Sequence, residues 1–397
     1  MADARGRPTR YFEAVYRGMG PATLRRSNQR AVLTMISTDP GCSNADIARK
    51  TGLAPQSVSA VLADLDAQGL LTRGKAKPGG GRGQPATPLY VNPTGAYAIG
   101  VEIGWRRLEV VLVNIVTEVR HRERVSFDYP DAANIFQMLD GMVSRARAAV
   151  EAGANIVGVG LAMPEGIGDP AALIAPPAGQ TELWARLDAP AELARLTGLD
   201  VLRVNDGNAA CWAEFVAMPA PRPGNFAYLL IDEFVAAGIV SEDRLWQGAN
   251  LGAMLVDDGA GAPRFAHETA SLTALRQRLS AVGLELSAVT ASKPKAAAER
   301  VLAEWIDEAA LVLAEVLLNT RTVFDYTFAV IDAELPATVV DRLIGQLGAR
   351  LAQIPSLEPS KPEIRPGHLQ RSAAAQGAAF IRMYQRYFSR ELAHMED

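Results

Sequence analysis

Apolar residues recur at helical spacing early in the chain and at strand spacing after it. Leu24, Ala31, Val32, Met35 and Ile36 can share one face, which predicts a first helix over 23–36, broken by Asp39-Pro40-Gly41. A second helix starts at Ser43. Its hydroxyl can accept from the first turn's N–H groups, and Asp46 three positions on completes a capping-box pattern. Ile47 and Ala48 are expected to face inward, and Gly52 ends the helix in a tight turn. A third helix opens with Pro55, where a missing N–H costs nothing, buries Val58, Val61, Leu62 and Leu65, and closes at Gly69. Segments 70–73 and 88–91 read as the two strands of a hairpin. Beyond Asn92-Pro93 the pattern predicts strands over 98–104, 108–115 and 118–127, a helix over 133–152, a strand over 156–162 closed by Met163-Pro164-Glu165-Gly166, and a short strand over 201–204. That strand runs into Asn205-Asp206-Gly207-Asn208 and a helix. Segments 298–319 and 371–392 are long and amphipathic, and are expected to close the second lobe and contribute to a dimer interface.

Two helices, a Gly-containing turn and a basic hairpin, in that order, are how a winged helix-turn-helix presents one helix and one loop to duplex DNA. The outer face of the third helix opens with Gln56, Ser57, Ser59 and Ala60, small or amide-bearing side chains at the end that meets base edges. The hairpin connection GKAKPGGGRGQPAT is cationic, so Lys75, Lys77 and Arg82 can meet phosphates, and Arg82, flanked by glycines, suits a narrow minor groove. The expected DNA contacts are Pro55, Gln56, Ser57, Ser59, Arg73, Lys75, Lys77, Arg82 and Gln84. Small three-helix bundles mimic such a pattern, and Gly-rich basic segments also serve as linkers; the full order of features favours DNA. Charge agrees: the net charge of −4 divides into +7 through Tyr90 and −11 beyond it, so a polyanion partner suits the first part alone.

At 397 residues the chain is expected to hold two or three domains. The expected division is an arm over 1–22, the DNA-binding module over 23–92 and a body over 93–397. The βββαβα order of the body, repeated once, indicates a two-lobed actin-like (ribonuclease H-like) ATPase-type α/β fold, with a ligand held between the lobes at loops following strand ends. No apolar run reaches the length of a membrane span, and the basic N-terminus lacks the apolar core of a secretory signal. Cys42 and Cys211 fall in different predicted domains, which argues against a disulfide framework and fits a reducing cytoplasm.

Two segments carry a resemblance. GGRGQPATPLYVNPTGAYAIGVEIG is similar to the junction between wing and first strand in the ROK family (repressors, open reading frames and kinases), in its DNA-binding branch. VNDGNAACWAEF resembles that family's sugar-site segment, usually Asn-Asp-Ala-Asn-Ala-Ala. The resemblance implies two lobes around a carbohydrate cleft, dimers or tetramers, and transcriptional control of sugar genes. It also implies that Asn205 and Asp206 bind sugar hydroxyls, Asp206 being the general base in the kinases. Asn-Asp-Gly is equally a strong turn signal.

The departures from the family's kinases are as informative. Their first-hairpin Asp-x-Gly-x-Thr is here Glu102-Ile103-Gly104-Trp105-Arg106. The second phosphate loop, Gly-Thr-Gly-x-Gly-Gly-Gly, is here Asp232-Glu233-Phe234-Val235-Ala236-Ala237-Gly238. The adenine-side Gly-Gly is Asp332-Ala333. Backbone cradles for phosphate need glycine, so neither a nucleotide cofactor nor kinase activity is expected. The family's zinc cluster has no cysteines here, leaving His267 and Glu268 as the only ligand chemistry in that stretch, and no metal is expected. The family's Gly-Glu-x-Gly-His is not recognisable; Ala253 stands near the Glu position, and Glu165 and His267 are candidates to supply polar contacts instead. The expectation is a cytoplasmic, dimeric or tetrameric repressor of carbohydrate genes that binds an operator and senses a sugar or sugar derivative without catalysis. The rivals are an active sugar kinase with a DNA-binding head and a constitutive DNA-binding dimer.

Overall fold

A computed structural model describes residues 20–75, 87–169, 173–219, 222–246, 248, 250–257, 263–291, 293–355, 360–369 and 373–388. The arm up to residue 19 and three expected DNA contacts, Lys77, Arg82 and Gln84, lie outside the described residues. The described residues form two units: 20–91 with 387–388, and 92–386.

In the first unit Pro21–Thr38 forms α1, Asn44–Thr51 α2 and Pro55–Ala67 α3, followed by strands β1 (Leu71–Arg73) and β2 (Leu89–Val91), paired antiparallel. Local chemistry sets the ends of these helices. Ser43 Oγ accepts from the Asp46 N–H at 3.3 Å, and the Asp46 carboxylate accepts from the Ser43 N–H at 3.0 Å. Gly52 closes α2 at φ 69°, in the left-handed region. Proline occupies the first position of both α1 and α3. Val32, Leu33, Ile36, Ile47, Val58, Leu62, Leu65, Leu70 and Leu89 make the core. Leu24, expected on the buried face of α1, is instead 47% exposed, and Leu33 packs inward. The first turns of α1 extend past the core, and Arg25 there holds Asp64 of α3 through two guanidinium nitrogens at 2.6 and 2.9 Å.

The second unit opens with three antiparallel strands, β3 (Tyr97–Ile103), β4 (Arg107–Asn114) and β5 (Val119–Ser126), then α4 (Ala132–Ala148) and β6 (Ile156–Ala162). Helices α5 (Gln180–Arg186) and α6 (Ala189–Thr197) lead to β7 (Val201–Val204) and α7 (Asp206–Ala217). The plan then repeats: β8 (Phe226–Ile231), β9 (Val235–Ser241) and β10 (Arg244–Trp246), a small hairpin of β11 (Leu255–Asp257) and β12 (Pro263–Phe265), and helices α8 (Ala266–Ala270), α9 (Leu272–Ala281), α10 (Ser287–Thr290) and α11 (Ala296–Arg321). Strand β13 (Phe328–Ala333), α12 (Ala337–Gln353), β14 (Glu363–Pro366) and α13 (Ala373–Tyr387) complete it. The two five-stranded sheets share one topology, β5-β4-β3-β6-β7 and β10-β9-β8-β13-β14. This is a two-lobed actin-like body. Strands β3, β4 and β8 are buried along their whole length, as sheets covered on both faces require.

Helices α7 and α13 join the lobes at backbone contact. A methyl group at Gly207 would overlap the backbone of Ala237 on β9, so α7 lies directly on the second sheet. Methyls at Gly100 of β3 or Gly160 of β6 would overlap the carbonyls of Ala375 and Ala378, so α13 lies directly on the first. The two helices meet where Gly377 abuts the carbonyl of Ala209. Small residues are therefore a steric requirement here. We expect Gly377→Ala to destabilise the protein by about 1–3 kcal/mol through overpacking. Gly345→Ala, in open space on α12, should instead stabilise it by about 0.5–1 kcal/mol. Urea unfolding of both variants checks the difference in sign.

Candidate functional site

Between the lobes of the second unit lies a cleft of about 630 Å³. Its floor comes from the turn after β7. Asn205 sits just before α7, and its side chain accepts from the Asn208 N–H at 3.1 Å. Asp206 is the first helical residue; one carboxylate oxygen accepts from the Gly207 N–H at 2.9 Å. Burial, reinforced by the charge of Asp232, raises Asp206 to about 6. The turn reading and the cleft reading of Asn-Asp-Gly thus coincide, since Asn205 caps a helix and lines the cleft at once. Glu165 stands at the exposed rim, with Arg203 donating to it at 3.2 Å. His267 is half-buried, lies 5.5 Å from the ring of Phe234 and 5.7 Å from that of Phe265, and is lowered in pKa by burial. All four candidate ligand residues, Asn205, Asp206, Glu165 and His267, therefore line one cleft. The sequence singled out Glu268 only as a companion of His267 in metal chemistry and passed over Asn208 as a ligand residue; both also line the cleft. Glu268 accepts from the Phe265 N–H at 3.0 Å, and its pairing with His267 in sequence was its only signal.

At the inner end of the cleft the two hairpins that would hold a nucleotide's phosphates face each other. Trp105 of the first lobe packs on Phe234 of the second, ring centroids 4.8 Å apart. Beside them Arg107 reaches from β4 into the second lobe, its side chain only 7% exposed. It pairs with Glu102 at 2.6 Å, Asp232 at 2.5 Å and Glu334 at 3.6 Å. Burial alone would lower the Arg107 pKa, but the carboxylates of Asp232, Glu102 and Glu334 outweigh it and keep the guanidinium charged. Burial pushes Glu102 upward against the pull of Arg107. Arg106 and Arg276 flank Glu233 at 3.3 and 2.8 Å, and Arg124 pairs with Glu334 at 2.8 Å.

The residues present do not fit a nucleotide. Carboxylates and an aromatic pair stand where glycine N–H groups would cradle phosphate. Asp332, in place of the adenine-side glycine, is the penultimate residue of β13, accepts from the Tyr228 hydroxyl at 3.2 Å and is raised to about 6 by burial. Nor do they fit zinc: among the described residues no group of three or more His, Cys, Asp or Glu side chains is placed to hold a metal ion.

In the first unit Pro55, Gln56, Ser57 and Ser59 are exposed on one end of α3, and Lys75 is exposed beyond β1. Arg73 is exposed but pairs with Asp66.

A two-lobed body of this topology, closed by a helix after an Asn-Asp turn, defines a sugar-kinase-like class. The ROK family model matches residues 98–384, and the chain belongs to that family. A MarR family model matches residues 23–83. The chain is 25% identical over 373 residues to the protein y4fQ of Sinorhizobium fredii, across 92% of this chain and 93% of that one. It is 21% identical over 247 residues to the xylose repressor of Bacillus subtilis, across 59% of this chain and 62% of the repressor. Among solved structures, a ROK family transcriptional regulator homologous to the Escherichia coli MLC protein superposes with a TM-score of 0.66 at 19% identity, over 94% of this chain and 98% of that one. A ROK family glucokinase from Streptomyces griseus, in complex with glucose and AMPPNP, gives 0.57 at 20% identity, over 72% and 98%.

Removing Arg107 would leave Glu102 and Asp232 facing each other without their shared cation, while Glu334 keeps Arg124. Arg107→Met is expected to cost about 3–5 kcal/mol of stability, as for other broken buried pairs, read by urea unfolding at neutral pH. A second expectation concerns pH. The folded-state pKa of Asp206, about 6, lies above its unfolded value, so the folded protein holds this proton more tightly. Its contribution to stability is present at low pH and lost as pH rises through about 6. Asp206→Asn should remove that part of the slope, so its stability relative to wild type improves between about pH 4 and pH 7; thermal unfolding across this range checks the sign.

Proposed function

We propose that this chain is a DNA-binding transcriptional regulator, a repressor of carbohydrate-related genes whose body senses a small hydroxylated ligand without catalysis. The observation that carries the non-catalytic reading is the Arg107 network with the Trp105–Phe234 pair. Together they fill the junction where phosphoryl transfer needs an open, glycine-lined cradle. The kinship with the xylose repressor and with the MLC-like regulator supports the regulatory reading. We take residues 23–92 as the DNA-binding module, with Pro55, Gln56, Ser57 and Ser59 toward base edges and Arg73, Lys75, Lys77, Arg82 and Gln84 toward the backbone and minor groove. Asn205, Asp206, Glu165 and His267 are the ligand residues of the body.

A homodimer, alone or paired into a tetramer, would set two recognition helices on a pseudo-palindromic operator. Ligand binding that changes lobe closure would change operator affinity to the extent that it binds the two states differently. The cytoplasm is the compartment such a regulator needs. Among the described residues no helix is long and apolar enough to cross a membrane.

The test is electrophoretic mobility shift on a duplex selected from a random pool by the full-length protein. We expect Gln56→Ala to weaken binding by about 1–3 kcal/mol and relax specificity at one base pair. Lys75→Ala should weaken all sequences alike and lower the salt slope by about one. The same preparation should transfer no phosphate from Mg-ATP to hexoses. Turnover there, or no selected duplex at low salt, would overturn the proposal.

A further inference from the structure

We propose that the ligand of the interlobe cleft is an amino sugar with a free ammonium group, a refinement that rests on the sensing role proposed above. Three observations converge on a cation rich in hydrogen-bond donors. The first is charge. Among the described residues the cleft is lined by the carboxylates of Glu165, Asp206 and Glu268 against one guanidinium, Arg203, which already donates to Glu165. The remaining basic side chain there, His267, is disfavoured in its charged form by burial. A phosphorylated sugar or a uronic acid would enter against this field.

The second observation is an acceptor that needs a donor. Asn208 is 6% exposed and lines the cleft, and its side-chain oxygen has no hydrogen-bond partner among the described residues. A buried acceptor left in this state is costly, and a ligand N–H or O–H relieves it. Asp206, beside it on the same helix turn, accepts from the Gly207 N–H and adds a second acceptor of high burial. An ammonium offers three donors and a full charge to such a surface; a hydroxyl offers one donor.

The third observation is the aromatic run. Trp105, Phe234, His267 and Phe265 follow one another at centroid spacings of 4.8, 5.5 and 5.7 Å along the cleft wall. Ring faces attract cations and also pack against the C–H face of a pyranose. Acidic groups, a buried acceptor and aromatic side chains in one cavity of this size select for a sugar ring bearing a positive charge.

The experiment is isothermal titration of the full-length protein at pH 7 with matched sets: glucosamine, galactosamine and mannosamine, the parent hexoses, their N-acetyl forms and glucose 6-phosphate. We expect at least one amino sugar to bind about tenfold or more tightly than both its parent and its N-acetyl form, the scale of one semi-buried charge interaction. Glu268→Gln, which keeps an acceptor oxygen for the Phe265 N–H, should erase most of that preference while leaving the melting temperature close to wild type. A parent hexose binding as tightly as its amine would overturn the ammonium inference and leave sensing intact. Tighter binding of the phosphate would also overturn it. Binding by no member of the panel would sink the inference, while the operator assay judges the regulator independently.

Discussion

The body depends on one buried guanidinium. Arg107 leaves the first lobe at the base of β4 and is held by Glu102 of its own lobe and by Asp232 and Glu334 of the other. Taking such charges out of water costs several kcal/mol per ion, and mutual attraction offsets this only when geometry is good. The network is therefore better understood as a device that fixes geometry than as a source of stability. It dictates how the two hairpins face each other. The Trp105–Phe234 contact seals the same junction from the cleft side. The chain thus differs from the kinase pattern by more than missing glycines, since the residues of these loops pair with one another across the lobes.

Local rules made much of the first unit legible. The capping pair Ser43 and Asp46, the left-handed Gly52 and the leading Pro55 act within a turn of themselves, so the sequence alone reveals them. The strand 156–162 was equally plain, because a buried strand announces itself as an unbroken apolar run; 201–204, interrupted by the exposed Arg203, carries a weaker signal. Leu24 misled because helical spacing says which residues share a face and not where the core ends. Arg107 stayed hidden for another reason: its partner Asp232 is distant in sequence, and complementary charge across a fold leaves no local period. Arg106, its neighbour, drew attention as the altered threonine position, yet its side chain is 30% exposed and pairs with Glu233. The cleft residues were half legible. Asn205 and Asp206 came through a motif, whereas Glu268 and Asn208 needed the lobes to be folded around them.

The cleft and the junction divide the work of the body between them. One presents acceptors, aromatic side chains and open volume; the other presents ion pairs. Asp206 belongs to the first but feels the second, since Asp232 raises and Arg107 lowers its pKa. A ligand donor placed on Asp206 would therefore alter the electrostatic balance of the residues that hold the hairpins together. Such a connection needs no chain of moving side chains between the two places, only the shared low-dielectric interior.

The contact between Gly377 and Ala209 has a mechanical consequence. Two helices that meet backbone to backbone have no side-chain ridges to ride over, and each is pressed against its own sheet by further glycine contacts. Translation of one past the other would drive Cβ atoms into carbonyls, while rotation about the crossing point disturbs few atoms. The crossing therefore resists sliding more than turning, and the Arg107 ion pairs and the Trp105–Phe234 contact are what hold the angle between the lobes.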